Sequence, residues 1–229
     1  MNKNVRIWTA EFIGTFTLIF IGCGSICMNQ LSGNALGLLG IAVAHGLAIG
    51  VMVSALGHIS GAKFNPAVSL GLVAGGKQDI MDAIPEIISQ LAGAVVAAMA
   101  LRLIFPENIT TATHLGTQAL GGGIGMGTGI LAEAILTFLL VLTVYATAVD
   151  PAGSFKSIAG LGIGGIVLID HLVGISVTGA SMNPARTFGP ALVSGYWDNH
   201  LVYWIGPILG GVAAGLLYTK VLTLKKSGR

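Results

Sequence analysis

The sequence predicts an all-α membrane protein in which six transmembrane helices and two re-entrant half-helices form an inverted repeat. Three observations support this fold class: the composition, six long apolar stretches, and a motif that occurs twice. Of the 229 residues, 54% are hydrophobic and 9% are charged, whereas a soluble domain carries about 25% charged residues. Water therefore cannot be the solvent for most of the surface.

Six apolar stretches are long enough to cross a bilayer core, which takes about 20 residues in a helix. The first follows Lys3 and Arg6, as a secretory signal would, but its apolar run over residues 7–28 is too long and no Ala-x-Ala site follows. We expect a single transmembrane domain over residues 1–229. The stretches are centred near Ile19, Ile49, Val95, Leu139, Ile166 and Ile208.

The basic residues are distributed unevenly between the two ends of the predicted spans. If the amino terminus is cytoplasmic, nine of the eleven Lys and Arg residues fall on cytoplasmic segments, and only Arg102 and Arg186 do not. The positive-inside rule then places both termini in the cytoplasm, and we expect a multi-pass protein of the cell membrane. The basic tail is explained without nucleic-acid binding. The nine residues are Lys3, Arg6, Lys63, Lys77, Lys156, Lys220, Lys225, Lys226 and Arg229.

Two parts of the chain, at about residues 7–105 and 127–220, share sequence patterns. Ser-Gly-Ala-Lys-Phe-Asn-Pro-Ala at residues 60–67 recurs as Thr-Gly-Ala-Ser-Met-Asn-Pro-Ala at residues 178–185. Each half contains three predicted spans, so the second half must enter the membrane in the opposite direction. Inverted repeats of this kind place their working site near the middle of the membrane, where the halves meet.

Each repeated motif predicts a half-helix. Asn is a strong N-cap and Pro suits the first helical position, and about nine residues rise only about 14 Å, half way across the core. Inversion points the two helix starts, each with about half a positive charge, at one another. The residues expected at this centre are Asn65, Pro66, Ala67, Asn183, Pro184 and Ala185.

The backbone before each half-helix is not expected to be helical. Such backbone is tolerated at this depth only where it is buried in protein or lines a wet cavity, so its carbonyls offer a row of acceptors. They belong to Gly61, Ala62, Lys63, Phe64, Gly179, Ser181 and Met182.

Glu11 and Glu133 occupy matching positions of the repeat in the first and fourth spans. A carboxylate at the centre of a spanning helix costs roughly 2.5 to 3.5 kcal/mol on insertion scales, so both residues need partners. We expect backbone N–H groups of the re-entrant loops as partners, which makes the two carboxylates structural braces and not proton carriers.

The two Asn-Pro-Ala strings and their surroundings resemble the aquaporin or major intrinsic protein family. The resemblance runs from Ala10 to about Tyr218, and its most specific strings are Gly-His-Ile-Ser-Gly-Ala-Lys-Phe-Asn-Pro-Ala-Val at residues 57–68 and Met-Asn-Pro-Ala-Arg-Thr-Phe-Gly-Pro at residues 182–190. It implies an aquaporin-like bundle in which the half-helices meet at a pore centre, and a homotetramer with one pore in each subunit. It also implies a passive single-file channel, surrounded by membrane lipid, that admits water and excludes ions and protons.

The resemblance further implies a selectivity constriction on the outer side of the pore, formed by His45, His171, Ala180 and Arg186. Strict water channels of the family carry His where His171 stands and glycerol channels carry a small residue, so glycerol is less expected than water. His45 instead resembles the plant vacuolar subgroup, some members of which pass ammonia. Ammonia or another small neutral solute therefore stays an alternative.

A secondary transporter is a further alternative, because such proteins also use inverted repeats and broken helices. An enzyme is not expected, since the titratable residues of the spans form no nucleophile-base pair by spacing. No cofactor and no metal is expected, because Cys23 and Cys27 are too few for a metal site. Lys63 stands where the family often has His, and the sequence leaves open whether its amine reaches the pore or extends into the cytoplasmic vestibule.

Overall fold

The computed structural model describes residues 3–153 and 158–223, and within these ranges the regular structure is entirely helical. Four of the basic residues used for the orientation, Lys156, Lys225, Lys226 and Arg229, lie outside the described residues. The α-helices are α1 Lys3–Leu31, α2 Gly37–Ser60, α3 Pro66–Ala74, α4 Ile80–Ile104, α5 Glu107–Ala112, α6 Met126–Val144, α7 Ala159–Thr178, α8 Pro184–Ser194 and α9 Val202–Leu217.

Six of these helices are long and apolar enough to cross a membrane, and each contains one of the six centres expected from the sequence. The spans are α1, α2, α4, α6, α7 and α9, of which α6 and α9 continue through π-helical turns at Tyr145–Val149 and Tyr218–Leu222. With the two short helices α3 and α8, this architecture confirms the predicted fold class.

The short helices α3 and α8 begin as the Asn-Pro pattern predicts. The Asn65 Oδ1 atom accepts a hydrogen bond from the Ala67 N–H at 2.8 Å, and the Asn183 Oδ1 atom accepts one from the Ala185 N–H at 3.0 Å. Each Asn side chain thus caps its helix by accepting a hydrogen bond from an N–H group of the first turn that has no partner within the helix. Each short helix packs against a span of the other half of the chain, α3 against α9 and α8 against α4.

Glycines bring α2 and α7 into direct backbone contact. A Cβ atom added at Gly46 would lie 2.6 Å from the Gly164 carbonyl oxygen, and one added at Gly50 would lie 2.9 Å from the Gly160 carbonyl oxygen. Small residues spaced four apart allow this approach in a membrane, where dispersion contacts between helices replace the hydrophobic effect. The crossing holds two walls of the central cavity together.

The segment between α4 and α6 is ordered. It forms α5 and then a tight turn at His114, Leu115 and Gly116 with φ values of 46°, 55° and 75°. A Cβ atom at Gly116 would lie 2.8 Å from Cys23 Cβ. The turn therefore packs directly onto α1.

Candidate functional site

The two re-entrant loops share an unusual backbone. Gly61 ends α2 with a φ of 84°, and Ala62 and Phe64 follow with φ values of 50° and 52°. Left-handed conformations cost about 1 to 3 kcal/mol at non-glycine residues and persist only where the surroundings impose them. The second loop repeats the pattern with φ values of 81°, 49° and 54° at Gly179, Ala180 and Met182.

A buried carboxylate holds the first loop in this conformation. One Glu11 oxygen accepts hydrogen bonds from Ser60 Oγ at 2.6 Å and from the Lys63 N–H at 3.1 Å. The other accepts from the Phe64 N–H at 2.7 Å and from Gln90 Nε2 at 2.8 Å. Backbone of this kind turns successive N–H groups into a concavity that binds an anion, and the Glu11 carboxylate is that anion.

Glu133 occupies the equivalent position under the second loop. Its carboxylate accepts hydrogen bonds from Thr178 Oγ1 at 2.6 Å, the Ser181 N–H at 2.9 Å and the Met182 N–H at 2.7 Å. Both glutamates are fully buried. Their partners are of the kind expected from the sequence, and the two carboxylates lie behind the loops on opposite sides of the molecule's centre.

Asn65 and Asn183 join the two loops reciprocally. Asn65 Nδ2 donates to the Met182 carbonyl at 2.8 Å, and Asn183 Nδ2 donates to the Phe64 carbonyl at 2.9 Å. An amide carries two N–H groups, so one hydrogen remains on each Asn. The two helix starts thereby meet with both amides at the centre.

A narrow cavity of about 30 Å³ passes the two Asn side chains. His45, Ile49 and Val53 line it at successive turns of α2, which corresponds to a length of about 12 Å. Its other apolar lining consists of Leu18, Val68, Leu140, Val144, Ile163, Val167 and Met182.

His45, His171 and Arg186 lie together at one end of this cavity. The imidazole centroids are 4.1 Å apart, and Arg186 Nη2 lies 3.0 Å from His45 Nε2. A guanidinium only donates hydrogen bonds, so His45 Nε2 must accept. His45 Nδ1 lies 2.9 Å from the Ile41 carbonyl oxygen, which only accepts, and this assigns the neutral Nδ1–H form to His45.

His171 is held in the same way but presents a free nitrogen. Its Nδ1 atom donates to the Val167 carbonyl at 2.7 Å, whereas its Nε2 atom has no protein partner. Arg186 Nε is also without a protein partner, although the Arg186 side chain is only 2% exposed. The ring therefore contains one acceptor and one donor that no protein group satisfies.

Two residues that support the ring were missed in the sequence. The Gly116 carbonyl accepts from Arg186 Nη1 at 3.3 Å, which fixes the guanidinium from the side of the tight turn. Gly22 leaves room for His45, since a Cβ there would lie 2.5 Å from the imidazole. Both positions leave no room for a side chain. No spacing rule in a single sequence distinguishes these two glycines from the others.

A wide vestibule of about 1070 Å³ adjoins the narrow cavity on the side of the amino terminus. Lys3, Lys77, Asp79 and Asp82 are among its lining residues. Over residues 3–153 and 158–223, no three His, Cys, Asp or Glu side chains come together as metal ligands.

Comparison with known proteins assigns this arrangement to a family. The profile described as major intrinsic protein matches residues 1–218. The chain belongs to this family. It is accordingly an integral multi-pass membrane channel and not an enzyme.

Relatives in the family are similar over nearly the whole chain. Aquaporin TIP4-4 of Zea mays is 43% identical, and the match covers 93% of this chain and 85% of the relative. Aquaporin TIP2-1 of Arabidopsis thaliana is 42% identical, with 95% and 88% covered. Among solved structures, the aquaglyceroporin from Plasmodium falciparum has a TM-score of 0.85 at 26% identity, with 96% of this chain and 97% of that chain covered.

The major intrinsic protein fold does not bring every predicted site residue to the cavity. Ala180 is fully buried and lies near Gly174, and it is not among the described residues that line the narrow cavity. Gly61 borders the wide vestibule, whereas Ala62, Lys63, Ser181 and Met182 border the narrow cavity. Gly179 is half-buried and outside this lining, and the remaining predicted residues are buried behind it: Phe64, Pro66, Ala67, Pro184 and Ala185.

Proposed function

We propose that this channel conducts water passively in single file and excludes ions and protons. The observation that carries the proposal is the combination of reciprocal Asn amides at the centre with a His45–His171–Arg186 ring around a cavity of water width. Water gives up its bulk neighbours and finds fixed donors and acceptors instead. No energy source is required.

The polar groups on one path can replace the hydrogen bonds that water loses. At the ring, His171 Nε2 is a free acceptor and Arg186 Nε a free donor. At the centre, Asn65 and Asn183 each retain one N–H. The opposite wall is apolar, with Ile49, Leu140 and Val167 among its residues, so the file of water is held on one side only and moves with little retention.

Cations meet three obstacles on this path. They lose hydration in a cavity of about 30 Å³, they face the positive ends of α3 and α8, and they pass Arg186. At an effective dielectric of about 20, a unit charge about 8 Å from the guanidinium is repelled by about 2 kcal/mol. This slows cations only about thirtyfold, so dehydration supplies the larger share of the barrier.

The ring favours water over glycerol. The aquaglyceroporin from Plasmodium falciparum shares the fold, but the solute is decided by the few side chains at the narrowest point. His45 and His171 contact one another, with ring centroids 4.1 Å apart, so the two imidazoles and the Arg186 guanidinium occupy space that a three-carbon polyol would need. Rejection of glycerol follows from these rings and not from the bundle.

Ammonia is a second candidate because every residue of the ring is polar. His45 and His171 line the ring with imidazole nitrogens in place of apolar groups. Ammonia is similar to water in size and hydrogen bonding. The contacts of His45 with Ile41 and Arg186 assign it the neutral Nδ1–H form, so its imidazole adds no positive charge to the ring that ammonia passes. The ring then passes ammonia without its conjugate acid.

Assembly and orientation complete the proposal. Four copies form a homotetramer in the lipid of the cell membrane, with one pore in each copy, and both termini lie in the cytoplasm. The exposed apolar residues on the outer helix faces support this arrangement, among them Leu47 at 58% and Val51 at 61% exposure. They require lipid or a neighbouring subunit as solvent.

Stopped-flow light scattering on proteoliposomes tests the function directly. We expect osmotic water flux well above that of empty vesicles, with a low activation energy and no dependence on a proton or sodium gradient. Glycerol and methylammonium are measured on the same vesicles. Water flux equal to that of empty lipid, or saturable flux that follows an ion gradient, would contradict the proposal.

A further inference from the structure

The narrow cavity and the wide vestibule meet at a short neck. Three described residues line both spaces: Val53 on α2, Lys63 in the first re-entrant loop and Val144 on α6. Two of them are apolar, so Lys63 is the charged residue at the neck. Arg186 lies at the other end of the same cavity.

Lys63 is fixed at this position by three hydrogen bonds. Its N–H donates to Glu11 at 3.1 Å, and its Nζ atom donates to the Ser60 carbonyl at 2.7 Å and to Glu86 at 2.9 Å. The side chains of Lys63 and Glu86 are only 8% and 6% exposed. The amine is therefore held at the vestibule side of the neck by Ser60 and Glu86, which both line the wide vestibule.

Lys63 lines both spaces, whereas its counter-ion does not. Glu86 lines the wide vestibule but not the narrow cavity, and Gln78 Nε2 holds the same Glu86 oxygen from behind at 2.5 Å. Two of the three ammonium hydrogens are used by Ser60 and Glu86, which leaves one donor. The neck thus presents a positive donor with its negative partner set back.

The second half of the molecule has no equivalent of this cation. Ser181 stands at the position of the repeat that matches Lys63, and its hydroxyl is engaged with the Asn183 carbonyl at 2.9 Å and with Thr187 Oγ1 at 2.6 Å. The site at the neck is therefore a property of Lys63 and Glu86 and not of the repeated architecture.

We propose that Lys63 is a second specificity-determining residue of the pore, which excludes protons and other cations at the neck as Arg186 does at the ring. The inference rests on the proposed water channel. A cation that arrives through the narrow cavity meets Lys63 before Glu86, and a neutral solute receives a hydrogen bond. Fixed cations at both ends raise the energy of a positive charge along the whole file of water.

Proton leak is the most sensitive measure, because protons hop along a file of water without shedding a hydration shell of their own. Proteoliposomes containing the pH dye pyranine are driven by a potassium diffusion potential, and proton leak is divided by the osmotic water flux of the same vesicles. For Lys63→Met we expect the ratio of proton leak to water flux to rise at least about tenfold. This is the factor that one unit charge about 12 Å away produces at an effective dielectric near 20. Lys63→Arg, which keeps the charge, should retain the wild-type ratio.

Two further variants separate charge from packing. K63M/E86Q removes both charges and leaves no unpaired carboxylate, so its ratio should lie between those of K63M and wild type, and it carries the test if K63M does not fold. Lys77→Met removes a lysine that lines the wide vestibule alone and should leave both fluxes unchanged.

Three outcomes are distinct. If folded K63M and K63M/E86Q have the wild-type ratio, Lys63 is a structural residue and the inference is wrong. An equal rise in K77M would also overturn it, because the effect would then belong to the vestibule as a whole. If the wild-type protein gives no water flux above empty vesicles, the proposed function fails before any variant is compared.

Discussion

His45 and His171 each donate an Nδ1 hydrogen to the carbonyl four residues earlier in their helices, but their Nε2 atoms differ. The Nε2 atom of His45 is occupied by Arg186, whereas that of His171 is free. His45 therefore holds the guanidinium in place, and His171 offers the hydrogen bond to a solute. The same residue type has two roles because only one of the two rings lies within reach of Arg186.

Replacing His171 by Gly should admit glycerol. The change removes the imidazole that faces His45 at 4.1 Å, and loss of a steric filter of this size changes discrimination by at least about tenfold. Glycerol uptake relative to water flux in proteoliposomes measures the effect. Leu172→Gly is the matched control, since it weakens α7 equally but lies on the lipid side with 39% exposure. Continued exclusion of glycerol by a folded H171G channel would show that His171 does not set the width.

Replacing His45 by Phe should reduce methylammonium uptake more than water flux. Phenyl cannot accept from Arg186, and it adds an apolar face to a ring that is otherwise polar. The ratio of methylammonium uptake to water permeability, at equal protein density, measures the change. Leu47→Phe places the same side chain on the lipid side of α2, where Leu47 is 58% exposed, and should leave the ratio as it is. An equal ratio in H45F and wild type would make His45 a packing residue.

The half-helices and their loops depend on elements from both halves of the chain. The left-handed residues Ala62 and Phe64 in the first loop are stabilised by the Glu11 carboxylate from α1. Such conformations would cost a few kcal/mol in an isolated loop. The spanning helices around the centre therefore hold its loops in place, and a change in how these helices pack should change the shape of the pore.

The α2–α7 crossing offers a test of this dependence. A Cβ atom at Gly164 would lie 2.5 Å from the Gly46 carbonyl oxygen and 2.8 Å from Gly50 Cα, so Gly164→Ala should separate the helices and lower stability by about 1 to 3 kcal/mol. Gly165→Ala, at the next position, meets nothing within 4 Å and should be neutral or slightly stabilising. Thermal unfolding in mild detergent compares the two. Equal midpoints for G164A and G165A would show that the close crossing is not needed.

At the scale of the molecule, a polar centre is enclosed by helices whose outer faces are apolar. The spanning helices expose large hydrophobic side chains, including Leu103 at 86%, Leu161 at 71% and Val173 at 71%. Buried polar groups such as Glu11 and Glu133 find protein partners at the centre instead. This is the reverse of a soluble protein and suits a channel that is surrounded by a membrane.

A homotetramer predicts a definite particle mass. Native mass spectrometry in mild detergent should give about four times the chain mass of 23.3 kDa, because outer faces that are not covered by lipid are covered by neighbouring copies. The variant G165A serves as a control for the handling of the protein, since it changes no contact within 4 Å. A particle of one chain mass with full water flux would show that each pore works alone and that the assembly is not required.

The sequence by itself determined the spans, the two half-helices and the type of partner that Glu11 and Glu133 require. These follow from local rules: apolar length, the Asn-Pro start of a helix, and the high energy of a carboxylate within a membrane. The sequence also identified His45, His171 and Arg186 through a resemblance to a family. The division at about residues 7–105 and 127–220 remains a prediction from the same patterns.

Only the tertiary structure decided which atoms face the passage. The acceptance of the Arg186 hydrogen bond by His45, the burial of Ala180 beside Gly174, and the ion pair of Lys63 with Glu86 all join residues that are far apart in the chain or turned by a left-handed backbone. No periodicity in one segment specifies the side chain that it meets in another. Those contacts depend on how closely the glycines let the helices approach, and this is fixed only when all the spans pack together.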